Sequence, residues 1–506
     1  MKAKKSKGFP SPDLVRAVLK GHSGLGLAFA ALLYLVCLTG TIAVFTHEFQ
    51  RWENPAAESM ETMSAEAVQA AYRAAVERAD GPVEHALILM PSQDRPWPTL
   101  RIDTEDGTQT TWIADSSGRI SGEIREGWTK FVTRLHINLH LPQSWGIFIV
   151  GLTGVALLSS LISGLLAHPR LFRDAFHLRL GGSRRLQEAD LHNRIGVWAL
   201  PFHVTVSLTG ALLGLSSIII GAIGLAVFQG DTAKVYAIFT PPHLAEDARP
   251  APPLDLRPLF ASVATKAPGA RISYLVVEHP TEMGAAVIFE VEDGSSRLAN
   301  ADSYAFDRSG KLYHQQKAEQ NNVGQQILGS LGQLHFGWFG GGMIKIAYAL
   351  LGLGLTYLAA GGVNIWLARR RDKGRPAPGW ERVWAASVWG QPVALVGAAL
   401  AALFTMSVAP LIWTWAAISV AMLGAAAFLP PVAISRIGRA GTGIFFIALA
   451  TAHPAFMGTG DRMALIVNGV FGLIGLSLLA TVIGQVSMLR KALMPASTRP
   501  KSERRT

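Results

Sequence analysis

Apolar runs close to the length of a bilayer-spanning helix recur along the chain, at roughly 24–46, 144–167, 195–228 and 344–367. A helix crossing the hydrocarbon core needs about 20 such residues. An uncharged block over 383–435, interrupted by Pro410, is long enough for two more, and another two follow near 441–457 and 463–488. The pattern predicts an α-helical polytopic membrane protein with about eight transmembrane helices. Two polar stretches, 49–130 and 231–330, interrupt the first four spans. The first begins with helical periodicity in SAEAVQAAYRAAVERAD and continues with the strand-like pieces HALILMP, PTLRIDTED and TTWIADSSG. The second runs LRPLFASVATKA, then ISYLVVEHP, AAVIFEVED and DSYAFDRSGKLY. Each predicts a small α+β module, a helix with an antiparallel hairpin. The chain then divides into 1–48 (N-terminus and first span), 49–130 (first module), 131–230 (second and third spans with a basic loop), 231–330 (second module), 331–382 (fourth span and a basic loop) and 383–506 (four further spans and a basic tail).

Composition supports the membrane class. Half of the 506 residues are hydrophobic and only 16% are charged, which is not the balance of a soluble enzyme. Basic residues cluster at 1–9, 170–185, 369–375, around Arg436 and at 501–506. With eight spans all of these fall on one side, so the positive-inside rule puts both termini in the cytoplasm and the modules in the periplasm of a bacterial inner membrane. The formal charge of +11 then reflects topology and implies no nucleic-acid partner. The N-terminal run lacks an A-x-A-like cleavage site and reads as a retained span. The single cysteine, Cys37, excludes an intrachain disulfide and a Cys-ligated iron–sulfur cluster, and reads as a small core residue.

The halves repeat. "DSSGRI" and "DRSGKL" end the two modules alike. His22 precedes Thr39 by 17 residues, His192 precedes Thr209 by 17, and His136 precedes Thr153 by 17. His335 holds the matching place before span four, which lacks the threonine. This is the mark of a duplication. The last four spans carry one histidine, His453, and read as a separate bundle. A lone histidine at a membrane boundary usually snorkels or caps a helix. Four in register, two at each face, point instead toward ligation, and neutral imidazole is a natural axial ligand of haem iron. Gly26, Gly40, Gly196 and Gly210 clear room either for a porphyrin or for helix contact. His203, 11 residues after His192, falls on nearly the same helical face and inside the bilayer, where a histidine is a functional candidate by default. His136 and His140 at i and i+4 also permit a shared zinc, though no carboxylate partner sits beside them.

The blocks "DLHNRIGVWALPFHVTVSLTG", "RLHINLHLP" and "QLHFGWFGGGMIKIAYALLGL" resemble the PepSY-associated transmembrane proteins, and the modules then resemble PepSY domains. That resemblance includes inner-membrane ferric-siderophore reductases of the ferrioxamine-reductase type. It implies an oxidoreductase with two b-type haems, which takes electrons from a quinol or cytoplasmic donor and reduces a ferric siderophore in the periplasm. It carries His22, His136, His140, His168, His192, His203 and His335 as motif histidines. We expect an outer haem held by His136 or His140 with His335, and an inner haem among His22, His192 and His203. No GxGxxG follows a strand, so a flavin or nicotinamide fingerprint is missing. Lys130, Arg134 and Lys345 can steer an anionic chelate or contact headgroups. Trp128, Trp145 and Trp338 read as interfacial belt residues. The rival readings are a non-redox binding or signalling protein, and a transporter built on repeats.

Overall fold

A computed structural model describes residues 11–167, 184–238, 240–292, 294–295 and 297–493. His168 and most of the basic segments used above to orient the chain lie outside them. Six of the expected spans are single helices: α6 (Gln143–Ala167), α13 (Gly341–Asp372), α14 (Pro378–Ala401), α15 (Val408–Phe428), α16 (Pro431–Met457) and α17 (Arg462–Leu493). The other two are bent pairs. Helices α1 (Pro12–Ala28) and α2 (Ala30–Ala43) meet at 67°, and α7 (Arg184–Trp198) and α8 (Leu200–Gly214) at 72°. The breaks fall at Phe29 and Ala199, each seven residues past its repeat histidine. At the second break Pro201 sits in the first turn of α8, where its missing N–H does no harm. The chain is thus a polytopic membrane protein, with up to eight spans among the described residues.

These breaks correct two expectations. His203 lies beyond the 72° bend, so it does not continue the face of His192. His136 and His335 are not on the span helices either. They close two short helices, α5 (Gly127–Asn138) and α12 (Val323–Phe336). Leu139 and His140 both adopt positive φ, 57° and 54°, which ends α5 and turns the chain before α6 starts. His136 and His140 therefore do not share a helical face. In the second half Gly337, φ 72°, makes the corresponding stop.

The two modules are not separate. Their strands form one eight-stranded antiparallel sheet in the order β4-β3-β2-β1-β5-β6-β7-β8. The first module supplies β1 (Val83–Leu89), β2 (Thr99–Thr104), β3 (Gln109–Ala114) and β4 (Ile120–Glu123). The second supplies β5 (Arg271–Glu278), β6 (Ala286–Glu292), β7 (Ala301–Asp307) and β8 (Leu312–Gln316). They join where β1 pairs with β5, Leu87 opposite Val276. Alternate residues such as Ile88, Leu100, Leu275 and Phe289 bury one face against α4 (Ala65–Glu77) and α11 (Arg257–Lys266). The Gln69 amide locks the join: it donates to the Leu254 carbonyl and accepts from Leu256 N at 2.6 Å.

The repeated turns are physically the same. Asp115 accepts from the N–H groups of Ser117 and Arg119, both at 3.0 Å, and Asp307 accepts from those of Ser309 and Lys311. Gly118 and Gly310 then take φ of 85° and 83°.

The last four helices pack on one another and also dock on α3 (Thr46–Glu53) and α5. Trp52 donates to Asn468 at 2.8 Å, His453 donates to the Trp52 carbonyl at 2.6 Å, and Arg51 pairs with Asp461. Trp128 belongs to this core, 4% exposed, and is not a belt residue. Trp145, by contrast, is 67% exposed.

Gly118 also separates strain from crowding. A Cβ there would lie 2.2 Å from the Ala67 carbonyl, whereas one at Gly107, φ 83°, meets nothing within 4 Å. Gly107→Ala is expected to cost only the left-handed penalty, about 1 kcal/mol. Gly118→Ala should lower the thermal unfolding midpoint clearly further; equal midpoints would show that helix α4 yields without cost.

Candidate functional site

Helices α5 and α12 bring His136 and His335 face to face. Their ring centroids are 6.1 Å apart and their planes differ by 22°. Each ring lies on a glycine of the bent span from its own half. A Cβ at Gly40 of α2 would sit 2.6 Å from His136 Cε1, and one at Gly210 of α8 would sit 2.8 Å from His335 Cε1. Both glycines belong to the Leu-Thr-Gly register of the repeat. The third such glycine, Gly154 of α6, is used differently: it packs on Ala211 of α8.

Hydrogen bonds set the tautomers. His136 Nδ1 is 2.9 Å from the Val36 carbonyl, which can only accept. His335 Nδ1 is 3.0 Å from Thr209 Oγ1, and that hydroxyl gives its own proton to the Thr205 carbonyl at 2.6 Å. Both Nδ1 atoms are therefore donors, and in each neutral ring Nε2 keeps its lone pair. This is how a protein prepares imidazole for a metal.

The rings border a cavity of ≈ 470 Å³ between α2, α5, α6, α8, α12 and α13. Its wall is apolar apart from these two histidines and a few hydroxyls, and it includes Gly40, Gly154, Gly210, Gly214 and Gly352. Cys37 also lines it. Two imidazole nitrogens on one metal ion, each about 2 Å from it, put their ring centres roughly 6 Å apart. The observed pair fits that spacing, and the apolar, glycine-walled cavity fits a flat, largely apolar macrocycle.

His140 is not part of this pair. Its ring stacks on Phe131 at 5.0 Å, and its Nε2 donates to the Phe131 carbonyl at 2.9 Å. The left-handed turn at Leu139 and His140 thus carries the second imidazole away from His136, and no group of three or more His, Cys, Asp or Glu side chains among the described residues is placed to hold a metal. The other motif histidines lie elsewhere. His22 of α1 leans on α6, with Nδ1 3.0 Å from the Ser160 carbonyl and its ring against Gly164. His192 of α7 leans on Gly361 and Gly362 of α13. So each half sets its span histidine against the neighbouring span, while Gly26 and Gly196 have no neighbour within 4 Å. His203 is fully buried, edge-on to Phe202, outside the cavity wall. Its polar neighbour is the Leu351 backbone, too poorly aligned for a good hydrogen bond.

A charge cluster sits beside the cavity on the side of the inserts. Lys345 is buried and pairs with Glu48 at 2.8 Å and Asp94 at 3.0 Å. Asp94 comes from the β1–β2 loop of the first insert and lies 3.5 Å from His47. His47 in turn lies against Trp338, ring centres 4.6 Å apart and planes tilted by 39°, and Trp338 lines the cavity. His47 and Lys345 hold the Asp94 carboxyl well below the usual range against the opposing effect of burial. Lys345 is thus engaged in ion pairs and is unavailable to steer an anion. Lys130 pairs with Glu126, and Arg134 is exposed. The sequence reading missed His47, Glu48 and Asp94, because charges at a span boundary carry no signal of their partners. It also missed Glu53, whose carboxylate accepts from Trp128 N at 2.7 Å and Thr129 N at 3.0 Å and so holds the start of α5.

The cluster allows a comparison of two truncations. Lys345→Ala leaves Glu48 without its cation in a buried place and should cost on the order of 3 kcal/mol. Asp94→Asn, at a carboxylate 40% exposed, should cost under about 1 kcal/mol. Thermal unfolding of the purified variants reads both, and a reversed order would contradict this ranking.

Comparison with known proteins agrees with this architecture. A protein of Pseudomonas aeruginosa described as uncharacterized is 30% identical over 249 residues, covering 47% of this chain and 63% of that protein. The chain therefore spans somewhat under two thirds of that relative's length. The family described as PepSY-associated TM region matches residues 19–369, the stretch that holds both modules, the four repeat spans and every repeat histidine. The chain belongs to the PepSY-associated transmembrane family.

Proposed function

We propose that the protein is an inner-membrane b-type haem reductase that passes electrons across the bilayer to a ferric siderophore on the side of the inserts. The single observation that carries this reading is the His136–His335 pair. Its spacing, fixed tautomers and glycine-walled apolar cavity are what an axially ligated haem needs. His136 and His335 would hold the haem, and it would supply a one-electron carrier.

The chain's own groups do the rest. Val36 and Thr209 hold the two Nδ1–H donors, which orients each ring and raises the basicity of its Nε2. Gly40 and Gly210 let the rings lie flat on their helices. The cavity wall is mostly apolar. Glu48, Lys345 and Asp94 tie the insert to the two spans that flank the cavity. The substrate is Fe(III) in a shell of hard oxygen ligands. One electron converts it to Fe(II), which such ligands hold far less well, so the iron is released. The donor is a quinol or a cytoplasmic reductase. A second haem toward the other face, near His22 and His192, completes the proposed path, with open space at Gly26 and Gly196 as its support.

One observation favours a rival. The broken spans in matching places of the two halves are also what a repeat-built transporter shows. A visible spectrum separates the two. After haem-replete expression the purified protein should show a b-type Soret band and, with dithionite, an α band. A colourless protein would sink the reductase reading. His136→Ala and His335→Ala should each remove the same fraction of the haem, while His140→Ala should leave the spectrum intact. Loss of haem in His140→Ala alone would reassign the ligand.

Thr209 gives a finer test. Thr209→Val keeps the volume but removes the Thr209 hydroxyl from His335 Nδ1–H, leaving the Val206 backbone as the ring's other partner. Haem affinity should fall by roughly 10–100-fold, as for other outer-shell partners. Unchanged haem retention on dilution would show that Thr209 does not orient His335.

A further inference from the structure

The two modules meet at one strand pair, and a histidine from each stands at its end. His85 of β1 lies opposite Glu278 of β5, and the N–H of His279, the next residue, donates to the Glu84 carbonyl at 2.8 Å. Strand alternation alone would point the side chains of His85 and His279 to opposite faces. Instead His279 leaves β5 with φ 45°, and its ring centre lies 6.2 Å from that of His85. A positive φ at a residue with a Cβ is strained, and strain of this kind gathers at ligand sites.

Each ring has its own carboxylate. Glu84 Oε1 lies 3.8 Å from His85 Nδ1, and Glu282 Oε1 lies 3.6 Å from His279 Nδ1. A carboxylate in that place keeps the ring proton on Nδ1 and leaves the lone pair on Nε2, as in histidines that ligate metals. Nδ1 of His279 is enclosed although 42% of the side chain is exposed, so the exposure falls on the rest of the side chain. The surroundings are anionic. Among the described residues Glu84, Glu278 and Glu282 have no Lys or Arg within ion-pair distance. Asp103, opposite His85 on β2, is held by Arg101 at 3.1 Å. Arg308 approaches Glu282 but donates to the Glu282 and Pro252 carbonyls.

We propose that His85 and His279 bind a late first-row divalent metal ion, Zn²⁺ or Cu²⁺, which links the two modules at their join. Two imidazoles on one such ion set their ring centres roughly 6 Å apart, the spacing that the pair already has. Imidazole nitrogen selects these ions over Mg²⁺ and Ca²⁺, and the unneutralised glutamates draw a cation to the place. No group of three or more His, Cys, Asp or Glu among the described residues is placed to ligate, so the two imidazoles are the protein's ligands and water completes the shell. The site is independent of the redox reading and uses histidines outside the repeat register of the spans.

The test uses the full-length protein in neutral detergent, titrated calorimetrically with Zn²⁺. Neither ring belongs to the apolar core of the sheet, so His85→Ala and His279→Ala keep the fold. Each should weaken the site by at least the roughly 10–100-fold that losing an outer-shell partner costs, and Glu282→Gln by about tenfold. His136→Ala should leave it unchanged, which separates this site from the cavity. With one equivalent of Cu²⁺, the electron paramagnetic resonance spectrum should show coupling to two nitrogens in the wild type and to one in either histidine variant. Wild-type affinity in both His85→Ala and His279→Ala would overturn the site. So would a wild-type Cu²⁺ spectrum with a single nitrogen, or displacement of Zn²⁺ by equimolar Mg²⁺, which would mark a site made by carboxylates alone.

Discussion

Two imidazole rings resting on two glycines organise the membrane core. His136 covers Gly40 and His335 covers Gly210 so closely that a methyl group at either glycine would collide with the ring. The rings are held by their Nδ1–H groups and turned toward each other. Burying an imidazole in an apolar bundle is costly unless its donor is satisfied. Here one donor is met by the Val36 carbonyl of α2 and the other by a threonine that passes its own proton to the helix backbone. With both donors spent inside the protein, the two Nε2 atoms keep their lone pairs.

Much of the remaining structure aims those rings. Glu53 holds the first turn of α5, and the last four helices press on α3 and α5 through Trp52, Trp128 and Phe131. The terminal bundle is thus a brace for the helix that ends in His136. In the second half a capping box at Asn322 and Gln325 starts α12 and Gly337 stops it. The joined sheet links the two halves on the insert side, and its β1–β2 loop plants Asp94 on Lys345 beside the cavity. The duplication is therefore structural as well as textual. The Asp-x-Ser-Gly turns, the breaks after His22 and His192 and the ring-on-glycine contacts each occur twice.

The spans, the two inserts with their helix-and-strand order, the repeat and the glycines under the rings were legible in the sequence. Each follows from local pattern: apolar run length, alternation with period two, or a motif at fixed spacing. That His335 stands at the same boundary as His136 and His140 was legible as well; the structure brings its ring within 6.1 Å of that of His136. Choosing between His136 and His140 was not. That choice rests on the positive φ of Leu139 and His140, which ends α5 and swings His140 back onto Phe131. Nothing in a run of apolar and polar letters marks a leucine for a left-handed backbone.

The sequence by itself determined which segments leave water and which histidines stand at their ends, because burial and helical period are properties of neighbouring residues. The tertiary structure decided how those segments meet. It merged two inserts into one sheet, bent two spans, turned Lys345 from a free cation into the centre of an ion-pair cluster and turned Trp128 inward. These outcomes depend on contacts between residues far apart in the chain: 100 residues from Val36 to His136, 126 from Thr209 to His335 and 297 from Glu48 to Lys345. A local pattern can specify that a side chain is buried, but its partner is fixed only when the helices have packed.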